Sequence, residues 1–212
     1  MIKESTEDII NFYNKKYFIN QKDNYGKLGW RTLKGQIDRF EILLDIGVSN
    51  GDIVLDYGSG YGDLLSFLMK KKYIIKYLGV DINSSFIKSS KNKYGYKYFK
   101  LIKSYEDINL KFDWFISSGA FTVHTSNNTL LNTIDYYYKR VNKGLSFNLL
   151  SNEPNEPTMD SNSINIRGYN PKWVFDILKS KYNKVKIVPI ELNNNYLNFY
   201  DKLDEFNIYI YK

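Results

Sequence analysis

From residue 52 onward, short apolar segments alternate with amphipathic ones, and this alternation constrains the fold more than any other feature of the chain. The segments "DIVLDY", "YLGVDI", "YKYFKLI", "FDWFISS" and "GLSFNLLS" have the composition of buried strands. Between them lie "GDLLSFLMKK", "SSFIKSSKNKY" and residues 128 to 141, which have helical spacing. Such alternation is typical of βαβ units, so it predicts a parallel sheet with helices on both faces.

The C-terminal part breaks this alternation. A long polar loop over residues 152 to 170 precedes a helix that Pro171 opens, and two strands, "VKIVPIEL" and "EFNIYIYK", follow without a clear helix between them. A connection without a helix suits an antiparallel pair. The sequence therefore predicts an α/β fold with a doubly wound, mostly parallel, seven-stranded sheet and a C-terminal antiparallel strand.

The first 50 residues are interpreted as a helical extension, or lid, on the same domain. Residues 4 to 20 and 33 to 46 show helical spacing, and "GVSNGD" breaks the chain before the first strand. A chain of 212 residues is long enough for one domain with a sizeable core. We expect a single domain over residues 1–212, with the extension at 1–50 and an α/β core at 51–212.

Composition excludes several classes of site. The chain has no cysteine and one histidine, which excludes thiolate zinc sites and histidine-rich metal sites, and we expect no metal. The N-terminus carries acidic residues and does not resemble a signal peptide, and no segment reaches the ~20 apolar residues that span a bilayer. We therefore expect a cytoplasmic protein without membrane contact; the sequence gives no prediction of its oligomeric state.

The net charge of +7 has two readings. It could serve nucleic-acid binding. Alternatively, the abundance of Lys, Asn, Ile and Tyr reflects an AT-rich genome, and the lysines are scattered. Their densest run, residues 70 to 72, falls where a helix is predicted to end, and cations there complement the helix dipole. We favour the second reading.

Three glycines follow the first strand in "VLDYGSGYGDL", residues 54 to 64: Gly58, Gly60 and Gly62, after Asp56. Glycine allows a sharp turn and a close approach of backbone N–H groups to a ligand. The spacing is not the dinucleotide pattern G-x-G-x-x-G, since Asp63 stands at its third glycine, and a P-loop would need G-K-[ST]. An acid before the glycines disfavours a diphosphate and suits an ammonium group. A generic βα turn with Asp56 as a cap is the alternative.

At this motif the sequence resembles class I S-adenosylmethionine-dependent methyltransferases, whose first motif reads D-x-G-x-G-x-G after a strand. The resemblance covers about residues 51 to 212 and implies a Rossmann-like core. It implies that the glycine loop cradles the methionine part of S-adenosylmethionine (S-adenosylhomocysteine after transfer), that Asp56 holds its amino group and that Asp81 binds the ribose hydroxyls. The cofactor-contacting residues that it implies are Asp56, Gly58, Ser59, Gly60, Gly62, Asp81, Ile82, Ser104, Tyr105 and Ser118.

The N-terminal extension offers two further candidates in "GWRTLKGQIDRF". Gln36, or Arg31, would reach the carboxylate of the cofactor, and Trp30 would cover it. Gln36 and Arg39 lie one helical turn apart on one face. The alternative is that Trp30 packs in the core and Arg39 is solvated.

His124 is the candidate general base, because imidazole titrates near neutrality and "SGAFTVHT" follows the fourth strand, where the acceptor should lie. A structural histidine with one hydrogen bond is the alternative. We expect O- or N-methylation of a small-molecule, sugar or natural-product-like acceptor. A nucleic-acid or protein acceptor is the second hypothesis, and a homologue that binds the cofactor without activity is the third.

Overall fold

The structure, a computed structural model, describes residues 6–15, 20–123, 125–151, 157–159, 165–190 and 205–212. Five strands pair in parallel in the order β3-β2-β1-β4-β5. The order reverses between β1 and β4, so the chain leaves β1 to build the sheet first in one direction and then in the other. The described strands are β1 Ile53–Tyr57, β2 Lys76–Asp81, β3 Phe99–Leu101, β4 Phe112–Ser117, β5 Val141–Ser151, β6 Pro157–Met159, β7 Asn165–Tyr169, β8 Lys184–Ile190 and β9 Glu205–Tyr211.

The C-terminal strands complete the sheet as predicted. β9 runs antiparallel to β5 over seven residue pairs, from Gly144 opposite Tyr211 to Leu150 opposite Glu205. β8 lies on the outer side of β9 and is antiparallel to it. The seven strands β3-β2-β1-β4-β5-β9-β8 therefore form the expected mixed sheet, and the predicted fold class is confirmed.

Two short strands lie where the sequence was predicted to form only a loop. β6 and β7 pair antiparallel, and the end of β7 adds in parallel to the end of β5, with Gly168 opposite Leu150. Inside the polar stretch, Ile166 and Tyr169 are buried, and the Tyr169 hydroxyl donates to the carbonyls of Phe121 and Thr125. These buried contacts, which the polar composition concealed, place β7 beside the segment that follows β4.

Helices cover both faces of the sheet, as predicted. The first spans Thr6–Tyr13, within the predicted residues 4 to 20, and the bond from Lys15 N to Phe12 O tightens its last turn. Residues 16–19 of that prediction lie outside the described residues. Thr32, Asn83, Ser126 and Asn170 cap later helices with side-chain oxygens. The described helices are α1 Thr6–Tyr13, α2 Asn24–Lys27, α3 Leu33–Leu44, α4 Asp63–Lys70, α5 Ser84–Tyr94, α6 Asn127–Tyr138 and α7 Pro171–Lys181.

Side chains alternate along β1 between two apolar clusters. Leu55 joins the cluster formed with α6 and α7, whereas Val54 joins the cluster formed with α3 and α4. The helix of the N-terminal extension, α3, therefore lies in the same layer as α4 and shares its core. Among the described residues, no helix has the length and apolar character needed to cross a membrane.

Candidate functional site

The glycine loop leaves β1 at the point where the strand order reverses, which is where open α/β sheets bind ligands. The amides of Gly58 and Ser59 both donate to the Val80 carbonyl, at 2.9 and 3.0 Å, so the loop remains joined to β2. Gly58, Gly60 and Gly62 have φ values of +78°, +52° and +79°, which residues other than glycine rarely adopt.

The chain itself makes close approaches to these glycines. A Cβ atom on Gly58 would overlap the side chain of Ala120, and one on Gly60 or Gly62 would lie 2.9 Å from Leu28 or 2.7 Å from Phe99. A ligand is therefore not the sole reason for glycine at these positions, because neighbouring residues of the chain also leave no room for a Cβ atom. The glycines also let the loop pack against β3, the segment after β4 and the N-terminal extension.

Asp81, at the end of β2, is joined to the glycine loop. Its Oδ2 accepts from the Gly60 amide at 2.9 Å, and its Oδ1 accepts from the Asn83 amide at 2.8 Å. Burial raises the pKa of this carboxyl, and the backbone hydrogen bonds oppose that rise. A carboxylate has about four acceptor positions, and the amides of Gly60, Asn83 and Ile82 use three of them, so one remains for another donor. Asp81 and the glycine loop, which the sequence predicted to form one site, thus lie together, and the carboxylate can still accept a further hydrogen bond.

Asp56 lies in β1, the strand that precedes the glycine loop, on the face of the sheet that α3 and α4 cover. It is 2 % exposed and accepts a 2.5 Å hydrogen bond from the Tyr77 hydroxyl. Burial raises its pKa from 3.8 to about 7, and the nearby Asp81 and Asp63 add to this rise against the hydrogen bond from Tyr77. The carboxyl therefore titrates near neutral pH.

Among the described residues, three buried polar atoms in the segments that follow β1, β2 and β4 have no hydrogen-bond partner. They are Ser59 Oγ in the glycine loop, Ser118 Oγ just after β4 and Asn83 Nδ2 just after β2. Unpaired buried polar groups are rare and costly, and these three follow three adjoining strands at the same edge of the sheet. A polar ligand in this crevice would satisfy them, so the residues present fit a cofactor with hydroxyl and amino groups.

Asn83 was not among the predicted site residues. Its Oδ1 accepts from the Ser85 amide at 3.0 Å and so caps α5, which leaves the amide nitrogen for another partner. The sequence signal was available, because an asparagine before a predicted helix is a typical cap.

The remaining candidates after β2 and β3 have structural partners. The Ser104 hydroxyl accepts from the Glu106 amide and caps the turn Tyr105–Asp107. The Tyr105 ring lies edge-on to Tyr136 at 5.4 Å, while Ile82 packs against the core. These residues lie on loops at the carboxyl edge, where the sequence placed them, and the Ser104 hydroxyl serves the local turn.

Residues 24–39 of the extension, here called the cover segment, lie against the glycine loop. Leu28 packs on Gly60, as described above, and the side-chain amides of Asn24 and Gln36 lie 3.4 and 3.3 Å from the carboxylate oxygens of Asp63. Gln36 is buried and, in this structure, is paired with Asp63 at the start of α4.

Trp30 extends the cover segment to the segment after β4. Its ring lies 3.2 Å from the position that a Cβ atom on Gly119 would occupy, and the Arg39 guanidinium stacks on it at 5.0 Å. Arg39 is 8 % exposed, so the alternative of a solvated Arg39 is wrong. Its partner is Glu205, 166 residues away, at 2.6 Å from Nε to Oε2.

His124, the predicted general base, lies outside the described residues. Within the described ranges, no group of three or more histidine, aspartate and glutamate side chains is arranged to hold a metal ion. The described part of the site therefore consists of the glycine loop, Asp81, Asp56 and the three unpaired polar atoms, and the cover segment lies against the loop and Gly119.

No protein-family model matches the sequence, and the search of curated proteins gives no match. The fold, however, is similar to that of many solved structures. One is magnesium protoporphyrin IX methyltransferase (ChlM) from Synechocystis PCC 6803 with bound SAM, with a TM-score of 0.65 and 15% identity over 99% of this chain and 98% of that chain.

Two other solved structures show the same similarity. A SAM-dependent methyltransferase from Archaeoglobus fulgidus has a TM-score of 0.62 and 18% identity, over 93% of this chain and 100% of that one. The cyclopropane synthase MmaA2 from Mycobacterium tuberculosis has a TM-score of 0.64 and 13% identity, over 88% and 78%. The chain thus has the Rossmann-like fold of class I S-adenosylmethionine-dependent methyltransferases.

Proposed function

We propose that this protein is an S-adenosylmethionine-dependent methyltransferase. The observation that carries the proposal is the junction of the glycine loop with Asp81, through the Gly60 amide, at the reversal point of the sheet. The three unpaired polar atoms beside this junction support it, as does the similarity in fold to methyltransferase structures with bound SAM.

In this proposal each part of the chain has a binding role. Asp81 accepts from the ribose hydroxyls, and the ammonium group favours the ionised form of Asp56. The amides of Gly58, Ser59, Gly60 and Gly62 already donate within the chain, so the glycine loop shapes the site rather than supplying these N–H groups. Ser59, Asn83 and Ser118 supply the further polar contacts. The cofactor, when bound, supplies a methyl group that its sulfonium already activates. The chain's main contribution is then alignment, which is worth up to ~7–11 kcal/mol of a barrier.

We propose further that Leu28 and Trp30 exclude water from the site. Both lie over the carboxyl edge, one on Gly60 and the other on the segment after β4. A cover of apolar side chains lowers the local dielectric, which strengthens the polar contacts beneath it.

For the acceptor, we propose a small molecule that is methylated on oxygen or nitrogen. The names of similar structures support it, since one acts on magnesium protoporphyrin IX and another is in complex with phosphomonomethylethanolamine. His124 remains the predicted base for a hydroxyl acceptor, and a neutral amine would need none. Transfer of a labelled methyl group to a pool of metabolites, read by mass spectrometry, separates an active enzyme from a homologue that only binds the cofactor.

The cofactor assignment is tested with S-adenosylhomocysteine in calorimetry. Asp81→Ala should weaken binding about tenfold or more, because hydrogen bonds to a charged acceptor are lost. Asp113→Ala is the matched control: Asp113 also accepts a backbone N–H, from Ile53 at 2.9 Å, but at the opposite edge of the sheet. The control should lower stability without changing affinity. Equal affinities in wild type and Asp81→Ala would refute the assignment.

The nucleic-acid hypothesis for the acceptor rests on the net charge of +7. It predicts tight binding of mixed oligonucleotides that weakens steeply as salt rises. We expect weak binding that does not depend on sequence. A complex of sub-micromolar affinity at physiological salt would contradict the proposal of a small-molecule acceptor.

A further inference from the structure

A buried chain of polar groups joins the cover segment to the segment after β4. The Arg39 guanidinium pairs with Glu205 on β9, and the other carboxylate oxygen of Glu205 accepts from the Asn148 amide on β5. Asn148 Oδ1 in turn accepts from the Gly119 backbone amide at 2.7 Å. Arg39, Glu205 and Asn148 are 8 %, 4 % and 2 % exposed, so the chain runs through the interior.

The two ends of this chain meet again at the surface of the site. Trp30 stacks under the Arg39 guanidinium and lies against Gly119, the same residue whose amide Asn148 holds. Ser118, the neighbour of Gly119, carries one of the three unpaired hydroxyls. A closed circuit of contacts thus fixes the cover segment, β5, β9 and the segment after β4 relative to one another.

Stability alone is a poor reason for such a circuit. Burying an ion pair costs desolvation, and well-packed apolar residues of similar volume often stabilise a fold as well or better. The circuit instead specifies geometry, because each of its hydrogen bonds has a defined direction and length. Glu205 lies at the centre of these contacts, because one of its carboxylate oxygens accepts from Arg39 and the other accepts from Asn148.

We propose that Glu205 is a positioning residue of the site. Through Arg39 it holds Trp30, and through Asn148 it holds the Gly119 amide, so the cover segment and the segment after β4 close over the site as one unit. The inference rests on the proposed function for the identity of the ligand. The hydrogen-exchange measurement in its test uses the free protein and does not depend on that ligand.

The test compares Glu205→Gln with the double variant Arg39→Met/Glu205→Leu. The first keeps the shape and removes the charge; the second removes both charges, so that no unpaired charge is buried, and thermal unfolding checks that each variant is folded. Two quantities are measured: hydrogen exchange of the Gly119 amide in the free protein, by NMR, and the Kd of S-adenosylhomocysteine. Both variants should speed the exchange about tenfold and raise Kd about tenfold, as expected for loss of a charged hydrogen bond.

The matched control is Lys143→Met, which breaks the ion pair of buried Asp52 at the opposite edge of the sheet. It should lower Tm and leave both Gly119 exchange and Kd as in wild type. The proposal is overturned if the folded double variant leaves either quantity unchanged, or if Lys143→Met changes them equally. If wild type binds no S-adenosylhomocysteine, the proposed function fails, and unchanged Gly119 exchange would then overturn the positioning role separately.

Discussion

Buried polar groups at the two edges of the parallel sheet differ in their hydrogen bonding. At the amino edge, Asp52 is 4 % exposed and accepts from Lys143 Nζ at 2.5 Å, Trp114 Nε1 at 2.7 Å and the Ser49 amide at 2.9 Å. At the carboxyl edge, Ser59, Asn83 and Ser118 each bury an atom without a partner. Among the described residues, Asp52 at the amino edge has donors within the chain, whereas these three atoms at the carboxyl edge have no partner.

The pKa values of two buried aspartates express the same difference. Although burial acts to raise the pKa of Asp52, hydrogen bonds from Lys143, the Ser49 backbone and Trp114 lower it below its usual value. For Asp56, burial dominates, and its pKa rises to about 7. Several donors stabilise the charged form at the amino edge, whereas within the described part of the chain Asp56 has the Tyr77 hydroxyl alone to oppose burial. The comparison shows that several donors offset the effect of burial at Asp52, whereas one hydroxyl donor does not offset the burial of Asp56.

The largest expected effect concerns the pH dependence of stability through Asp56. In the folded chain its carboxyl holds a proton up to about pH 7, while in the unfolded chain it ionises near 3.8. Between these values the native state binds the extra proton, so its contribution to stability is fully present below 3.8 and is lost as pH rises to about 7. We expect a loss of roughly 3–4 kcal/mol, measured by urea unfolding at several pH values.

Asp56→Asn is the control for this effect, since the amide keeps an acceptor for the Tyr77 hydroxyl and does not titrate. The variant should be more stable than wild type at pH 8, and the two should converge near pH 4. Parallel curves for the two proteins across this range would show that Asp56 does not retain its proton on folding.

A smaller effect is expected from Asp52→Ala at the amino edge. The change leaves the buried Trp114 indole N–H without its acceptor and removes the partner of Lys143. We expect a loss of about 2–3 kcal/mol in the free energy of unfolding, because an unsatisfied buried donor carries its full desolvation cost. The affinity for S-adenosylhomocysteine should not change; a tenfold weaker complex would erase the functional difference between the edges.

The smallest effect is expected from Ser59→Ala and Ser118→Ala at the carboxyl edge. Since neither hydroxyl has a partner among the described residues, its removal should leave stability unchanged or raise it by about 0.5–1 kcal/mol. Binding of S-adenosylhomocysteine should weaken by about 1 kcal/mol in each variant. Thermal unfolding and calorimetry on the same samples give both values, and a loss of stability with unchanged affinity would assign the hydroxyls to the fold.

Most of the sheet could be predicted, because strand type and order depend on patterns within short segments. The apolar run of β4 and the alternation with helices were visible directly, and Pro171 marked the start of α7. β7 was missed, since its buried residues Ile166 and Tyr169 stand within a polar stretch and pair with the end of β5. The pairing of a strand within polar surroundings is decided by tertiary contacts.

The candidate site divides in the same way. The sequence by itself determined the glycine loop and Asp81, because a βα turn with its acid lies within a few residues of its strand and the next strand is the nearest neighbour in a parallel sheet. Only the tertiary structure decided that Arg39 is buried against Glu205 and that Asn148 holds Gly119. Residues so far apart in the chain leave no shared periodicity, and their pairing arises because α3 packs on the face of β5 and β9.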